Sequence, residues 1–488
     1  MRERIVAFFR EIIYHPVNAR VAYDLAIAFA SSSFSYAIFS FNNIQIVHIL
    51  LFSFFFIATN FILGIYSTLK LASSFLKFLS LLSSSIFSFV FTFLLGGSPI
   101  PLLNASIFAG ILTGLPRIFL NFSSSTKITP FNQVVTSNSP VLVVGGGGYI
   151  GSVLVEKMIK SNTRVRVFDK FIYGKQVFDD LKDDRRLEIV EGDVTDIYAL
   201  TLALRNVQAV VHLAGIVGDP ASMIDDRLTR HMNIVSTRML KEAVKAFRIP
   251  KFLFASSCSV YGTSEKIVNE KSRLNPLSAY AKTKIDSERE ILQDTFDDFH
   301  PTILRFATVF GHSRKPRFDL VFNLFLAQAY NNGFITVTGE NQWRPFISIS
   351  DLAGAIIKIL EAPKEKISRQ IYNIGDNSLH ATIGEIAKIA QRIVGEEKKV
   401  QIFLRKDDMD LRNYRVSFNK FQELFNFRCK VSLDDGAREI FEHFKKGTYK
   451  KPYTDIYYSA LETTKEVKRE FYSESYKKTH FSDLSFKE

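Results

Sequence analysis

Val141 to Val155 reads VLVVGGGGYIGSVLV. Four apolar, mostly β-branched residues run into glycines, and a helix-compatible stretch follows. That is the order of a strand, a tight turn and a helix N-terminus. The glycines at 145, 148 and 151 are spaced three apart. At the first, a missing side chain lets the chain turn sharply off the strand. At the second, it lets the backbone approach a pyrophosphate. At the third, it lets helix and strand pack closely. The helix start adds free N–H groups and the positive end of its dipole, so Gly145, Gly148, Tyr149, Ile150 and Gly151 are expected to hold a dinucleotide. A second strand, from Arg164 to Phe168, ends in Asp169, 18 residues after Gly151. A carboxylate there can accept from both hydroxyls of an adenosine ribose and would repel a 2′-phosphate, which points to NAD rather than NADP.

Outward from this stretch the chain alternates strand and helix, the mark of a parallel sheet. Strands are expected at Val141–Val144, Val165–Phe168, Leu187–Val190, Ala209–Leu213, Lys251–Ala255 and Thr302–Arg305. Helices are expected near Gly151–Ser161, Leu228–Phe247 and Tyr280–Thr295. The alternation loosens after Gly311. The reading is a Rossmann-type α/β domain at 140–310 and a smaller substrate-binding portion at 311–447. A charged, Tyr-rich C-terminal tail at 448–488 reads as surface-wrapping or mobile.

Upstream lies something different. The chain has 488 residues and 46 phenylalanines, which crowd the first 125 positions. From Val21 to Pro116 only Asp24, Lys70 and Lys77 are charged. About 20 apolar residues span a bilayer as helix. Four spans fit, near Ala22–Phe41, Ile44–Tyr66, Phe78–Leu95 and Ile100–Pro116. Basic connections alternate with neutral ones, which puts both ends of this 1–120 membrane region in the cytoplasm. Residues 121–139 are polar and turn-rich, a linker. The expected location is the cytoplasmic (inner) membrane, crossed several times, with the catalytic domain on the cytoplasmic side. The net charge of +13 suits an anionic membrane surface; no basic stripe with interleaved aromatics suggests nucleic acid. Two cysteines and nine histidines form neither a disulfide framework nor a metal-ligand spacing.

The chemistry-bearing residues come next. YAKTK at 280–284 puts Tyr280 and Lys284 on one helix face. A lysine beside a tyrosine is expected to stabilise the phenolate and lower its pKa. ASSCSVYG at 255–262 ends a strand in hydroxyls that can orient a substrate hydroxyl against the tyrosine. His212, at a strand end, reads as a packed core histidine, and Cys258 as a neighbour of the site rather than a nucleophile.

From residue 140 to about 447 the chain resembles the extended short-chain dehydrogenase/reductase family, in particular its nucleotide-sugar epimerases and dehydratases. The resemblance rests on GGGGYIG (145–151), FDKF (168–171), GDVTD (192–196), HLAGIVGDP (212–220), SSCSVYG (256–262), YAKTK (280–284), LRFATVFG (304–311) and WRPFISISDLA (343–353), in family order. It implies NAD as cofactor, with Asp193 and Val194 at the adenine and Leu213, Ala214 and Gly215 along the dinucleotide. It implies Ser257 as the catalytic hydroxyl, Tyr280 as acid/base and Lys284 as its partner on the nicotinamide ribose. Arg317 and Arg344 would hold the substrate diphosphate, and Thr308 stands where 4-epimerases often have Asn. A homodimer through a helix bundle is implied as well. The N-terminal block resembles the four-span region of membrane-bound sugar dehydratases of polysaccharide biosynthesis, with GIYSTLK (64–70) its most suggestive part; those proteins usually carry a further Rossmann-like domain that this chain does not.

One departure bears on the reaction. The 4,6-dehydratases of the family place an Asp-Glu pair after the active-site hydroxyl residue, whereas Ser257 is followed by Cys258 and Ser259. Elimination then lacks its acid. The expected activity is a membrane-anchored sugar-nucleotide epimerase, at C4 through a transient 4-keto intermediate, on a nucleotide-linked or lipid-linked sugar. A 4,6-dehydratase or 4-keto-reductase, or an inactive membrane scaffold, are the alternatives.

Overall fold

The structure is a computed structural model. It describes residues 135–136, 138–293, 298–405 and 412–472, and scattered positions between 28 and 107. The chain divides into two units, Met1–Thr129 and Pro130–Glu488.

In the N-terminal unit the described residues are helical. The four expected spans lie mostly outside them, and no helix among the described residues is long and apolar enough to cross a membrane. What is described has an inverted pattern. Phe29, Leu50, Phe54, Ile86, Val90, Phe93, Ile100, Leu103 and Ile107 are exposed, while Ala28, Ser53, Ser88 and Thr92 are buried beside Phe52 and Phe56.

The C-terminal unit is built on a seven-stranded sheet in the order β3-β2-β1-β4-β5-β6-β10, parallel throughout. Its strands are β1 (Val141–Val144), β2 (Val165–Asp169), β3 (Leu187–Glu191), β4 (Ala209–His212), β5 (Lys251–Ser257), β6 (His300–Phe306) and β10 (Gln370–Ile374). Parallel strands covered on both faces need no polar alternation, which is why VLVV is buried along its whole length. Val141 and Val143 enter one core with helices α1 (Tyr149–Lys160) and α8 (Ile349–Glu361). Leu142 and Val144 enter the other, with α2 (Ile197–Ala203) and α5 (Ser236–Ala246). Between β4 and α5 run two short helices, α3 (Asp219–Ser222) and α4 (Asp226–Arg230), and a π-turn over His231–Val235. The helix expected near Leu228–Phe247 is thus present as one continuous helical run from Asp226 to Ala246, with a π-helical stretch at His231–Val235 inside it. Helix α6 (Ala279–Leu292) follows β5.

The smaller lobe carries β7 (Thr308–Phe310), β8 (Phe334–Thr338), β9 (Trp343–Ser348), β11 (His380–Thr382) and β12 (Gln401–Arg405). They make a β11-β9-β7 sheet and a β12-β8 pair. Helices α7 (Val321–Asn332), α10 (Ile383–Gly395) and α12 (Leu433–Lys445) pack Phe322, Leu326, Ile386, Ile393, Ile440 and Phe441 into one core. Helices α9 (Lys364–Ile367) and α11 (Asn419–Phe425) flank β10. The segment read as a tail carries a further helix, α13 (Ala460–Phe471).

Candidate active site

The first glycine leaves β1 with φ +84°, a backbone that L side chains rarely adopt. A Cβ on Gly145 would lie 2.6 Å from the Ala214 nitrogen, and one on Gly151 would lie 2.4 Å from the Gly145 carbonyl oxygen. The turn is therefore a close-packed cradle in which strand, loop and helix touch backbone to backbone. Helix α1 starts at Gly148, which has no side chain to cap it, so its first N–H groups stay available to an anion. At the end of β2, Asp169 accepts from the N–H of Gly147 at 2.9 Å and of Phe171 at 2.7 Å. Burial pushes its pKa up, and these backbone bonds work against that. The glycine loop is thereby tied to the carboxylate that would face a ribose.

Gly145, Gly148, Tyr149, Ile150, Gly151, Asp169, Asp193, Val194, Leu213, Ala214 and Gly215 all line one cleft, together with Tyr280 and Arg317. Burial acts to raise the Asp193 pKa, but Thr195, which donates from both N–H and hydroxyl, and Lys170, 3.3 Å away, bring it below the ordinary value. The anionic form is thus held where the resemblance expects an adenine. The Tyr149 hydroxyl donates to the Gly311 carbonyl at 2.9 Å and accepts from Asn323 at 3.1 Å, which pins the start of α1 to the smaller lobe. The cradle, the uncapped helix start and the ribose-facing carboxylate fit a dinucleotide with free ribose hydroxyls.

Of the catalytic candidates Tyr280 lines this cleft, and Ser257 and Lys284 stand beside it. Ser257 ends β5, where its hydroxyl accepts from the Ser259 N–H at 3.1 Å and bonds to the Tyr280 side chain. Ser278 caps α6 by accepting from the Ala281 N–H, which sets the helix start and so the place of Tyr280. One turn on, Lys284 is 4% exposed and donates to the Ala255 carbonyl at 2.8 Å. Its ammonium lies 5.7 Å from the Tyr280 ring centre. The expectation that Lys284 lowers the tyrosine pKa needs correction. Burial and then the Asp219 charge raise the Tyr280 pKa, and Arg317 and Ser257 only partly offset them. Burial also drives Lys284 itself down to about 8, against the pull of Glu288.

The other expected residues fall in different places. Arg317 reaches the cleft but is held by Asp319, at 2.8 Å. Arg344 is buried and donates to the carbonyls of Trp343 and Arg412, which fastens β9 to the segment after residue 411. It does not line the dinucleotide cleft. Thr308 opens β7, half-buried. His212 is buried between Phe252 and Phe254, shares a 3.0 Å bond with Thr237, and is driven down to about 3 by burial and by the Lys284 charge. It is a packed histidine. The Cys258 thiol, its pKa raised by burial, donates to the Arg305 carbonyl.

Three features escaped the sequence reading. Glu288, one turn beyond Lys284, pairs with Arg305 at 2.6 Å in the interior and accepts from Ser256, so the strand that ends in Ser257 is fastened to α6. Asp219 lies close enough to Tyr280 to raise its pKa and is paired with Arg412 at 2.8 Å. Its other carboxylate oxygen is buried without a partner among the described residues. Lys315 is buried with its ammonium 3.8 Å from the Tyr173 ring centre and bonded to the Tyr457 carbonyl; burial brings its pKa to about 7. Spacing could not reveal these, because each partner comes from a distant part of the chain.

Two predictions arise here. An Asp219→Asn variant removes a negative charge beside Tyr280, which favours the phenolate. The limb of the pH–rate profile that reports Tyr280 is expected to move down by roughly one unit. An unmoved or upward-shifted limb would reject this coupling. The second concerns stability. Lys284 and Lys315 release their protons at about 8 and about 7 in the folded state, against 10.5 when unfolded. Between these values the unfolded chain holds more protons, so stability rises with pH. Thermal melts at pH 6.5 and 9 are expected to show a higher midpoint at 9, with a smaller rise in Lys315→Met.

A Rossmann sheet, a glycine cradle and a Ser-Tyr-Lys set on β5 and α6 agree with the resemblance to the extended short-chain dehydrogenases/reductases. Residues 141–375 match the model of the NAD dependent epimerase/dehydratase family, which supports an NAD-dependent enzyme of that kind. The UDP-glucuronate 4-epimerase of Thermodesulfobacterium geofontis is 26% identical over 310 residues, 61% of this chain and 93% of that protein. Among solved structures, the UDP-glucuronic acid 4-epimerase from Bacillus cereus, in complex with UDP-glucuronic acid and NAD, is 28% identical with a TM-score of 0.58, over 63% of this chain and 99% of that one. The UDP-glucose 4-epimerase from Thermotoga maritima, with UDP-glucose, is 25% identical with a TM-score of 0.56 over the same shares.

Proposed function

We propose that the protein is a membrane-anchored, NAD-dependent 4-epimerase of UDP-sugars that serves glycan assembly. The observation that carries the catalytic part is that Tyr280, which lines the cleft, is bonded to Ser257 and has the Lys284 ammonium 5.7 Å from its ring centre, with Cys258 and Ser259 where a dehydratase would have its acids. The relatives named for 4-epimerisation support it. NAD would be held by Gly145, Gly148, Gly151 and Asp169, and when bound it would supply reversible hydride transfer at C4 of the sugar. Tyr280, as phenolate, takes the proton of the 4-hydroxyl and gives it back after the sugar has turned. Ser257 holds that hydroxyl against Tyr280, and the Lys284 ammonium lowers the cost of the phenolate once the cleft is filled. Arg317 is placed to bind a phosphate of the substrate if it exchanges Asp319 for it.

Membrane anchoring and a cytoplasmic catalytic unit belong to the same proposal. Their support is the charge-poor run from Val21 to Pro116 and the inverted burial in the N-terminal unit, with large apolar side chains outward and Ser53, Ser88 and Thr92 inward. Helices in lipid pack on small and polar residues and turn bulky apolar ones outward.

The test uses full-length protein in detergent or lipid discs, incubated with UDP-, dTDP-, GDP- and CDP-sugars and followed by NMR. A C4-inverted UDP-sugar with no net change in NADH is the expected product. A 4-keto-6-deoxy product, or one NADH consumed per product, would replace this reading with the dehydratase or the reductase. If soluble sugars do not react, a polyprenyl-diphosphate sugar is the next substrate. Recovery of the protein in the soluble fraction of cells would remove the anchoring part.

A further inference from the structure

The cleft has a wall that lies outside the 141–375 span of the family model. Ala460, Thr463, Thr464 and Val467 of α13 line it, in the same cleft as Asp169, Lys170 and Tyr173 at and after the end of β2. These positions are spaced i, i+3, i+4 and i+7, so they form a single stripe of the helix. We propose that α13 is a built-in part of the cofactor site that closes over the adenosine half of NAD and retains it between turnovers, an inference that rests on the NAD reading of the cleft.

The helix is fastened at both ends, to different parts of the unit. At its start, the Ala460 N–H donates to Asp319 at 2.9 Å, and Asp319 is the partner of Arg317 on the loop that leads into the smaller lobe. At its end, Lys468 pairs with Asp225 at 3.0 Å, Glu470 pairs with Lys170 at 2.8 Å, and the Tyr472 hydroxyl donates to Asp225 at 3.2 Å. Between the ends, Val467 and Phe471 pack with Ile216, Ala221 and Leu228. Each exposed ion pair contributes little alone, but the apolar cluster and the two anchored ends act together.

The face toward the cleft suits a nucleoside rather than an anion. The Thr463 and Thr464 hydroxyls donate to carbonyls of Ser459 and Ala460 in their own segment, at 2.8 and 2.7 Å. The Thr463 oxygen is bonded to the Tyr173 side chain, while the Thr464 oxygen, its proton engaged, can accept from a ribose hydroxyl or an amino group. Ala460 and Val467 add methyl groups on either side. A dinucleotide seated below must displace α13 to leave. For a reaction that regenerates its NAD in each cycle, slow exchange costs nothing.

The experiment uses full-length protein in detergent, loaded with NAD and passed into NAD-free buffer, with bound nucleotide measured over time. Lys468→Glu sets a carboxylate against Asp225, and Phe471→Asp puts a charge into the apolar cluster. Both are expected to release NAD at least tenfold faster. In the unmodified protein, amides of 460–471 are expected to exchange more slowly once NAD is bound. Release within twofold of the unmodified protein in both variants would overturn the proposal. So would exchange in 460–471 that is unaffected by NAD while the glycine loop becomes protected. If the unmodified protein takes up no NAD, the NAD reading itself fails, an outcome distinct from fast release.

Discussion

Tyr280→Phe is expected to lower turnover by roughly 10²- to 10⁴-fold, the range for loss of a positioned acid/base. The substitution keeps the ring and its packing and removes one oxygen. That oxygen bonds to Ser257 and is the group in the cleft suited to exchange a proton with a sugar hydroxyl. The neighbouring candidates do not substitute for it. His212 is packed between two phenylalanines, Cys258 is bonded to a backbone carbonyl, and Lys284 donates to Ala255. Because the phenol does not fix the dinucleotide, NAD content should stay at the unmodified level and KM should change little. Turnover and bound nucleotide measured on one preparation separate the cases. Turnover within tenfold of the unmodified enzyme would mean that the proton goes elsewhere, with Asp219 the first group to examine. Loss of NAD together with activity would instead mark Tyr280 as a binding residue.

Gly151→Val is expected to abolish NAD binding and to destabilise the C-terminal unit. A Cβ at 151 would stand 2.4 Å from the Gly145 oxygen and 2.6 Å from the Gly146 Cα. Both are backbone atoms, and neither can swing aside as a side chain would. Helix α1 must then move off the loop, which pulls Tyr149 from Gly311 and the first N–H groups from the phosphate position. Overpacking of this kind costs typically about 1–3 kcal/mol, and more where the backbone itself is the obstacle. A thermal midpoint lowered by several degrees, with bound NAD below detection, is the expected result. A variant that keeps its NAD would show that the loop can open without losing the cofactor. Gly148→Ala is the contrast. Its Cβ would meet the Gly145 oxygen at 3.4 Å, so the fold should survive and any loss should appear in cofactor affinity.

By itself the sequence determined the elements whose signals are local. The strand–glycine–helix stretch at 141–155, the carboxylate at 169 and the spacing of Tyr280 and Lys284 were legible because period and turn chemistry are written in neighbouring residues. β1 and β4 were legible because buried parallel strands are near-continuous apolar runs, and β2, β3, β5 and β6 because β-forming stretches recur between helices. The π-turn at His231–Val235 was not, because 3.6-residue periodicity continues almost unbroken across it. The strands β7 to β12, among them β10 of the central sheet, were missed because they follow residue 306, where the regular strand–helix alternation that marked the others loosens.

Tertiary structure decided the electrostatics of the site and the walls of the cleft. That Tyr280 is raised rather than lowered depends on Asp219, 61 positions upstream, and on burial that no local pattern records. That Arg344 fastens the segment after residue 411, rather than lining the dinucleotide cleft, depends on Arg412. And α13, polar and charged enough to read as a tail, becomes a wall of the cleft because Asp225, Lys170 and Asp319 lie where its ends arrive. Charges and hydrogen bonds act through space, so their partners are set by the fold and not by distance along the chain.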